Sequence, residues 1–320
     1  MPASSPKPTK RPSKGADGVL LVDKPAGVSS HDVVSVARRA LGEKRIGHGG
    51  TLDPFATGLL VLLVGRATRL LQYVNDDPKV YEAVVRFGAE TDTEDLLGAV
   101  TREAPLPTRD ALLAAVPSLI GAISQVPPSY SAKRINGERA YALARAGVEV
   151  QLAPVTVQIH ALSLSTFEER DGGVAHCVMH VECGGGTYVR SLARGLARAV
   201  GSAAHLTALR RHRAGVFHLA RAISLEQLQA GGSTNLAPAV DALEGYPHQV
   251  LTVEEVVKIG RGIDVEARVE GRFAALLDPA SAASAASAAS AGQLVAFGER
   301  RTSEQGDRFQ PRVVMREPAA

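Results

Sequence analysis

The stretch GHGGTLDPFATG, residues 47–58, places a single carboxylate, Asp53, among glycines and a proline. It runs directly into the apolar segment Leu59–Val64, which predicts a buried strand. The flanking glycines and Pro54 favour a tight, irregular turn that presents this acid at the end of the strand. The spacing leaves two interpretations open. Asp53 either makes an Asx-type turn, as Asp before Pro often does, or it serves as a nucleophile or base.

Hydrophobic periodicity and turn residues divide the surrounding sequence into further strands and helices. Alternation in Val80–Phe87 places Tyr81, Ala83, Val85 and Phe87 on one face of a strand. The other strands predicted before the C-terminal region are Gly18–Val22, Val155–Leu164 and Val174–Cys183. The predicted helices are His31–Leu41 with Ser30 as its cap, Arg109–Ile120, Ala140–Ala146, Leu192–Val200, and a short helix that begins with a capping box of Ser224 and Gln227.

The composition indicates a protein with a substantial core and a mildly positive charge. Hydrophobic residues make up 45% of the 320 residues, and the formal net charge is +3. Two cysteines do not suggest a disulfide framework, and no apolar run approaches the roughly 20 residues that span a bilayer. The N-terminal segment lacks the apolar core of a signal peptide. These features predict a cytoplasmic protein without a membrane partner.

The length suits one large domain followed by a smaller one. Residues 1–17 are rich in Lys, Pro and Ser and predict a disordered basic tail. A domain boundary is expected around Ala237–Gln249, since short strand-like pieces with glycines follow it. These pieces predict a small β-domain and are Val265–Val269, Phe273–Leu277, Gln293–Phe297 and Val313–Met315. A Ser-Ala-Ala tract at residues 280–292 predicts a low-complexity surface loop within that domain.

The segment Cys183–Leu225 contains no acidic residue and is rich in arginine. We call its seven arginines the arginine block: Arg190, Arg194, Arg198, Arg210, Arg211, Arg213 and Arg221. A block of one charge sign favours a nucleic-acid surface, because the arginine fork donates two hydrogen bonds to one phosphate. The alternative is a solvated face that is balanced by acids elsewhere, such as Asp92, Glu94 and Asp95.

Two other motifs suggest ligand sites that their spacing does not support. The run Gly184–Thr187 lacks the Lys-Ser/Thr ending of a nucleotide-binding P-loop. The strand residues Cys177 and Cys183 share one face, whereas His176 and His180 lie on the other. Four ligands cannot converge in that arrangement, so we expect two core cysteines and two surface histidines rather than a zinc site.

Taken together, these motifs resemble the family of bacterial tRNA pseudouridine-55 synthases, also named tRNA pseudouridine synthase B. The resemblance covers Gly18 to Leu228 well, and the C-terminal part is loosely similar to the family's PUA-like β-domain. Its motifs are residues 47–58, Asp23–Gly27 with Ser29 and Ser30, Pro127–Lys133, Gly184–Arg190 and His205–Arg211. The chain departs from the family pattern at Ala153, where Arg is common, and in the Ser-Ala-Ala tract.

The resemblance implies a fold, a division of the chain and a set of site residues. The fold would be α+β, with a mixed, largely antiparallel sheet flanked by helices. Residues 18–245 would form the catalytic domain, and residues 246–320 would form a PUA-like RNA-binding domain. Asp53 would be the catalytic carboxylate, paired with Arg190, while Tyr81 stacks on the flipped uracil. The implied substrate-binding residues are His48, Tyr188, Leu209, Arg210, Arg211, Lys24 and Lys133.

The resemblance further implies that the T-loop uridine of tRNA is isomerised to pseudouridine. No cofactor is needed, because the reaction uses neither a redox partner nor a group donor. The T-arm of tRNA is the expected partner, and no obligate protein partner is implied. Two other functions remain open: a non-catalytic tRNA-binding or chaperone protein, and a hydrolase that uses Asp53 and His48. The hydrolase is weakly supported, since no Ser or Cys nucleophile motif accompanies this pair.

Overall fold

The computed structural model describes residues 17–131, 152–231, 236–279, 293–304 and 306–316, and the backbone of two short strands at 134–135 and 138–139. Three predictions for internal segments lie outside this part of the chain: the helix Ala140–Ala146, the substrate contact of Lys133 and the loop character of the Ser-Ala-Ala tract. The N-terminal tail, up to residue 16, also lies outside it.

The described chain forms nineteen strands and five α-helices. In chain order the strands are β1 (Gly18–Lys24), β2 (Ile46–Gly49), β3 (Thr57–Val64), β4 (Lys79–Phe87), β5 (Ala89–Thr91), β6 (Val100–Glu103), β7 (Gly121–Gln125), β8 (Arg134–Ile135), β9 (Glu138–Arg139), β10 (Val155–Arg170), β11 (Gly173–Cys183), β12 (Ala204–Ala214), β13 (Phe217–His218), β14 (Ile223–Ser224), β15 (His248–Val250), β16 (Val265–Glu266), β17 (Phe273–Leu277), β18 (Leu294–Ser303) and β19 (Gly306–Val314). The helices are α1 (Ser30–Leu41), α2 (Arg109–Ala115), α3 (Val189–Ala199), α4 (Leu225–Gln229) and α5 (Val253–Gly260). Short 3₁₀ helices occupy Gly65–Leu70, Val116–Leu119, Leu219–Arg221 and Ala239–Leu243.

A ten-stranded sheet with the order β14-β1-β3-β12-β4-β11-β10-β7 forms the large part of the molecule. Strands β2 and β13 pair at its sides with β3 and β12. Only the β1–β14 and β3–β12 pairs of this sheet are parallel in the described chain. This mixed, largely antiparallel sheet with flanking helices confirms the predicted α+β class.

The two faces of the large sheet are covered by different elements. Tyr81, Ala83, Val85 and Phe87 of β4 are buried against α2 and α3, which confirms the predicted alternation. Helix α1 covers the same face further along, at β1 and β3. On the opposite face, the odd-numbered residues of β3 pack against the C-terminal sheet. One continuous layer of apolar contacts therefore joins the two sheets.

The C-terminal sheet has five strands in the order β15-β17-β18-β19-β16 and is packed against α5. The strand Phe273–Leu277 has the predicted bounds, whereas helix α5 was not predicted. Thr252 and Glu255 form a capping box at its start, a signal that the sequence does contain. An aromatic cluster at the junction joins Tyr73 and Tyr246 to Phe273 and Phe297.

Three predicted helix boundaries are wrong. Ser29, not Ser30, caps α1, because Asp32 completes a capping box with Ser29. Helix α2 ends at Ala115 and gives way to a 3₁₀ turn that contains Pro117, since proline disrupts the helical hydrogen bonds. Helix α3 begins at Val189, one turn before the predicted start. No helix in the described residues is long and apolar enough to cross a membrane.

Candidate active site

Asp53 lies in the loop that joins the antiparallel strands β2 and β3. A serine of α1 fixes the residue before it: the Ser30 hydroxyl accepts from the Leu52 N–H at 2.9 Å and donates to the Leu52 carbonyl oxygen at 3.1 Å. Ser30 is only 3% exposed, which shields both hydrogen bonds from water. Ser30, which was predicted to cap helix α1, instead fixes the backbone of Leu52 next to Asp53.

The residue after Asp53 is fixed by the first turn of the chain. The carbonyl oxygen of Pro54 accepts from the Gly27 N–H at 2.8 Å and from Lys24 Nζ at 3.3 Å. Lys24 is completely buried, and burial lowers its pKa to about 8, with the nearby Asp53 carboxylate opposing that shift. This placement gives Lys24 a positioning role and does not fit the predicted contact with substrate.

Gly58 allows β12 to approach the start of β3. Its φ is +100°, and a Cβ there would lie 2.4 Å from the carbonyl oxygen of Arg211. Arg211 is 1% exposed, and its guanidinium donates to the Leu59 and Gly50 carbonyl oxygens at 2.8 and 3.2 Å. Arg211 therefore ties the central strand to the Asp53 loop through its Nε and Nη2 donors.

A cleft of about 270 Å³ opens above this loop. Six of the predicted site residues line it: Asp53, Tyr81, Tyr188, Arg190, Leu209 and Arg211. Asp53 is the only carboxylate among the described residues of its lining. Its side chain is 34% exposed, and its Oδ2 lies 2.9 Å from Arg190 Nε. The cleft thus presents one acid, one paired guanidinium and two tyrosines to a ligand the size of a single base.

The Arg190 side chain is held on several sides. It is 3% exposed and donates to the carbonyl oxygens of Thr93 and Tyr130 at 2.6 and 2.9 Å. Asp95 Oδ2 lies 3.8 Å from Arg190 Nη1 and provides a second negative charge. These contacts leave the guanidinium little freedom, so it holds the Asp53 carboxylate in one orientation.

Burial and neighbouring charges act on Asp53 in opposite directions. Burial raises the pKa of Asp53 above its ordinary value, and Asp95 adds to that shift. Arg190 and Lys24 lower the pKa and oppose the shift. The balance is a carboxylate that is more basic than an exposed aspartate and that remains ion-paired. Burial therefore outweighs the lowering of the Asp53 pKa by Arg190.

The two tyrosines of the cleft are fixed by different means. Tyr81 lies on β4 and is 7% exposed, and burial raises the pKa of its phenol, which is therefore neutral. Tyr188 precedes α3, and the Gln125 side chain accepts from its N–H at 2.8 Å and donates to its carbonyl oxygen at 3.0 Å. Sequence reasoning missed Gln125, which has no local signal because its partner is 63 residues away.

Besides Lys24, two predicted site residues in the described chain are absent from the cleft lining, His48 and Arg210. His48 is on β2 opposite Leu62, and burial lowers its pKa. Arg210 is next to Leu209 on β12 and points to the opposite face of the sheet, where it pairs with Asp23 at 2.7 Å. His48 is not among the residues that line the cleft, so the structure gives the hydrolase hypothesis, in which His48 and Asp53 act on one ligand, no support.

Most members of the arginine block are bonded to other groups of the protein, and several of them pair with acids, as the alternative interpretation expected. Arg194 pairs with Glu94, and Arg198 pairs with Glu90 at 2.6 Å. Arg213 donates to the Gly215 carbonyl oxygen at 2.7 Å. These internal contacts reduce the number of donors available to phosphate, and the nucleic-acid surface stays a prediction.

The cysteines and histidines of β11 have the predicted distribution. Cys177 and Cys183 are buried free thiols, whereas His180 is exposed and His176 is partly exposed. This confirms that the cysteines belong to the core. Among the described residues, no group of three His, Cys, Asp or Glu side chains is arranged to hold a metal ion.

Comparison with known proteins points to one family. The family model described as TruB family pseudouridylate synthase, N-terminal domain, matches residues 38–189. The tRNA pseudouridine synthase B of Paenarthrobacter aurescens (strain TC1) is 44% identical over 88% of this chain and 90% of the relative. The protein of that name from Nitrobacter winogradskyi is 40% identical over 92% of this chain and 82% of the relative.

Solved structures show the same fold at lower identity. A chain from an H/ACA RNP bound to a substrate RNA containing 2′-deoxyuridine superposes with a TM-score of 0.66 at 21% identity. The match covers 94% of this chain and 86% of that chain. A chain from a Cbf5-Nop10-Gar1 complex gives 0.65 at 22% identity, over 94% and 85% of the two chains. Together with the sequence matches, these comparisons show that the chain belongs to the TruB family of pseudouridylate synthases.

Proposed function

We propose that this protein isomerises uridine to pseudouridine in the T-loop of tRNA and that Asp53 is its catalytic carboxylate. The relatives that carry the name tRNA pseudouridine synthase B support the substrate and the isomerase class. The observation that carries the role of Asp53 is its position. It is the one acid among the described cleft residues, it is ion-paired with Arg190, and it lines the same cleft as Tyr81.

The reaction requires one glycosidic bond to break and another to form. The N1–C1′ bond is cleaved, the uracil turns, and C5 bonds to C1′; the proton on C5 is lost and N1 gains one, so that the product is an isomer of uridine. Asp53 has three routes in this sequence: attack at C1′, attack at C6 of the base, or removal of a proton from C2′. Each route requires an ionised carboxylate, and Arg190 supports that state by lowering the pKa of Asp53.

The shape of the cleft favours a base that has left its stack. Flipping a base costs a few kcal/mol, and stacking on an aromatic ring returns about 1–3 kcal/mol. Tyr81 is well placed for that stacking, with Leu209 and Tyr188 bounding the same space. In this proposal residues 18–245 carry the reaction, and the C-terminal domain, residues 246–320, contributes RNA contacts that position the T-arm without reading its sequence.

A non-catalytic tRNA-binding protein is the second candidate. It would need the RNA surface but not a carboxylate in the cleft. The buried hydrogen bonds on both sides of Asp53, from Ser30 and from Lys24, favour the catalytic function. A binding protein gains nothing from orienting one acid so closely.

The test replaces Asp53 with Asn, which keeps the shape of the side chain and removes its charge. The expected result is unchanged folding and tRNA binding, with pseudouridine formation on a T-arm stem-loop lowered by at least about 10⁴-fold. Liquid chromatography of the nucleosides from the digested RNA, which separates pseudouridine from uridine of the same mass, measures the product. Asp171→Asn is the matched control, since Asp171 is exposed in the β10–β11 turn. This variant should form pseudouridine at the wild-type rate. Substantial turnover by Asp53→Asn would refute the proposal.

A further inference from the structure

We propose that the Ser131 hydroxyl donates a hydrogen bond to a carbonyl oxygen of the flipped uracil. This hydrogen bond would restrain rotation of the base within the plane of its ring during the isomerisation. This inference deepens the proposed function and rests on it. Ser131 lines the same cleft as Asp53 and Tyr81. It is one of the site residues that sequence reasoning did not select.

The Ser131 hydroxyl is buried and unpaired. The residue is 4% exposed, and its Oγ is one of five buried side-chain nitrogen or oxygen atoms that have no hydrogen-bond partner in the described chain. It is the only hydroxyl among the five and the only one of them on the cleft lining. A buried hydroxyl without a hydrogen-bond partner is energetically unfavourable. Its presence in the cleft indicates that a bound ligand accepts its hydrogen bond.

The position of Ser131 does not depend on its own hydroxyl. Gln125 clamps the start of its segment to Tyr188. Further along, Arg194 donates to the Val126 carbonyl oxygen at 2.8 Å, and Arg190 donates to the Tyr130 carbonyl oxygen at 2.9 Å. The segment is thus attached to α3 on either side of the two prolines, and Ser131 directly follows the last attachment.

Two other hydroxyls show the contrast. Ser30 is equally buried, but its Oγ is bonded to both the N–H and the carbonyl oxygen of Leu52. Thr187 also lines the cleft, but its hydroxyl donates to the Gly184 carbonyl oxygen at 2.8 Å. Both hydroxyls serve the protein itself. Ser131 alone among these three has a donor available to a ligand.

The chemistry of the substrate matches this donor. Uracil carries carbonyl oxygens at C2 and C4, and a hydroxyl donates readily to either. Between cleavage of N1–C1′ and formation of C5–C1′ the base must turn in a controlled way. Stacking on Tyr81 restrains the face of the ring but leaves rotation within its plane free. A directional hydrogen bond from a fixed side chain supplies the missing restraint.

The experiment compares Ser131→Ala with the wild type under single-turnover conditions at saturating T-arm RNA. We expect the rate of pseudouridine formation to fall about tenfold, as for the loss of one hydrogen bond made in the reacting complex. The melting temperature should stay the same or rise, because the variant removes an unpaired buried hydroxyl. Ser30→Ala, which breaks two internal hydrogen bonds, should lower the melting temperature.

Modified substrates identify the contact. Replacing the target with 2-thiouridine or 4-thiouridine exchanges one carbonyl oxygen for sulfur, a weaker acceptor. One of the two should slow the wild type and have little further effect on Ser131→Ala. A wild-type rate in Ser131→Ala, a fall in its melting temperature like that of Ser30→Ala, or additive effects with both analogues would overturn the inference. Failure of the proposed function would differ, since the wild type would make no product or Asp53→Asn would remain active.

Discussion

The two ends of helix α3 carry the same kind of ion pair in different surroundings. At its first turn Arg190 pairs with Asp53, whose side chain is 34% exposed and faces the cleft. At its later turns Arg194 and Arg198 pair with Glu94 and Glu90, each with a side chain only 7% exposed. All three arginines recur at four-residue spacing. The helix supplies the same residue type at each turn, and the carboxylates that it pairs with differ.

Both oxygens of each carboxylate at the later turns of α3 accept hydrogen bonds. Glu90 accepts from Arg198 through both oxygens and from Arg102 at 2.8 Å. Glu94 accepts from Arg194 through one oxygen and from the Ser191 hydroxyl at 2.9 Å through the other. For Asp53, Arg190 is the one side-chain partner within the described chain. A carboxylate with unoccupied lone pairs at an open cleft can react, whereas a saturated, buried one holds the structure together.

The largest effect is expected from breaking the pair at the cleft. Arg190→Gln should lower turnover by about 10³-fold, because an oriented, preorganised charge is lost. Arg190 lowers the pKa of Asp53, so its removal should raise that pKa further. Asp53 is ionised above its pKa, and the acid limb of the pH–rate profile should therefore move to higher pH. An acid limb at the wild-type position would show that Arg190 does not control the ionisation of Asp53.

A smaller effect, on stability rather than chemistry, is expected at the middle of the helix. Glu94→Ala leaves the Arg194 guanidinium, which is 18% exposed, without its carboxylate partner. Removing one member of a buried pair should lower the free energy of unfolding by about 3 kcal/mol. Urea denaturation measures this change, and Glu94→Gln, which keeps hydrogen-bond acceptors, should cost less. Equal stability of Glu94→Ala and wild type would mean that the pair contributes nothing.

The smallest effect is expected at the far end. The Arg198 side chain is 56% exposed, and Arg102 remains bonded to Glu90 when Arg198 is removed. Arg198→Ala should therefore lower the free energy of unfolding by about 1 kcal/mol or less and leave turnover unchanged. The same two assays apply. A loss of turnover comparable to that of Arg190→Gln would remove the distinction between the two ends of α3.

Local sequence patterns predicted much of the fold but did not predict strand β12. Alternation placed Tyr81 on the buried face of β4, and the Ser224–Gln227 capping box is present. The arginine-rich stretch, in contrast, contains a central strand of the large sheet. A buried strand normally carries an apolar run, and here Arg211 occupies a position that is 1% exposed. Its partners are carbonyl oxygens on β3 and its loop, which no local pattern reveals.

The sequence likewise predicted some residues of the candidate site and missed others. Residues 47–58 indicated a turn with one acid, and the resemblance to a family selected Arg190, Tyr81, Tyr188 and Leu209, which the fold brings to one cleft. Lys24 was selected for its charge, but the fold buries it completely beneath the loop. Gln125 and Ser131 were not selected, because their significance depends on partners that are far away in sequence or on the lack of one.

The sequence by itself determined where the strands alternate, where turns fall, and that one aspartate stands at the start of a buried strand. These properties follow from the spacing of neighbouring residues, which the chain carries without reference to its fold. The tertiary structure alone decided which charged side chains are ion-paired within the protein and which face the cleft. Arg190 faces the cleft while Arg194 and Arg198 are bonded to Glu94 and Glu90, acids about a hundred residues earlier in the chain. Charge can be counted along a sequence, but whether a charge is free depends on what folding brings within hydrogen-bonding distance.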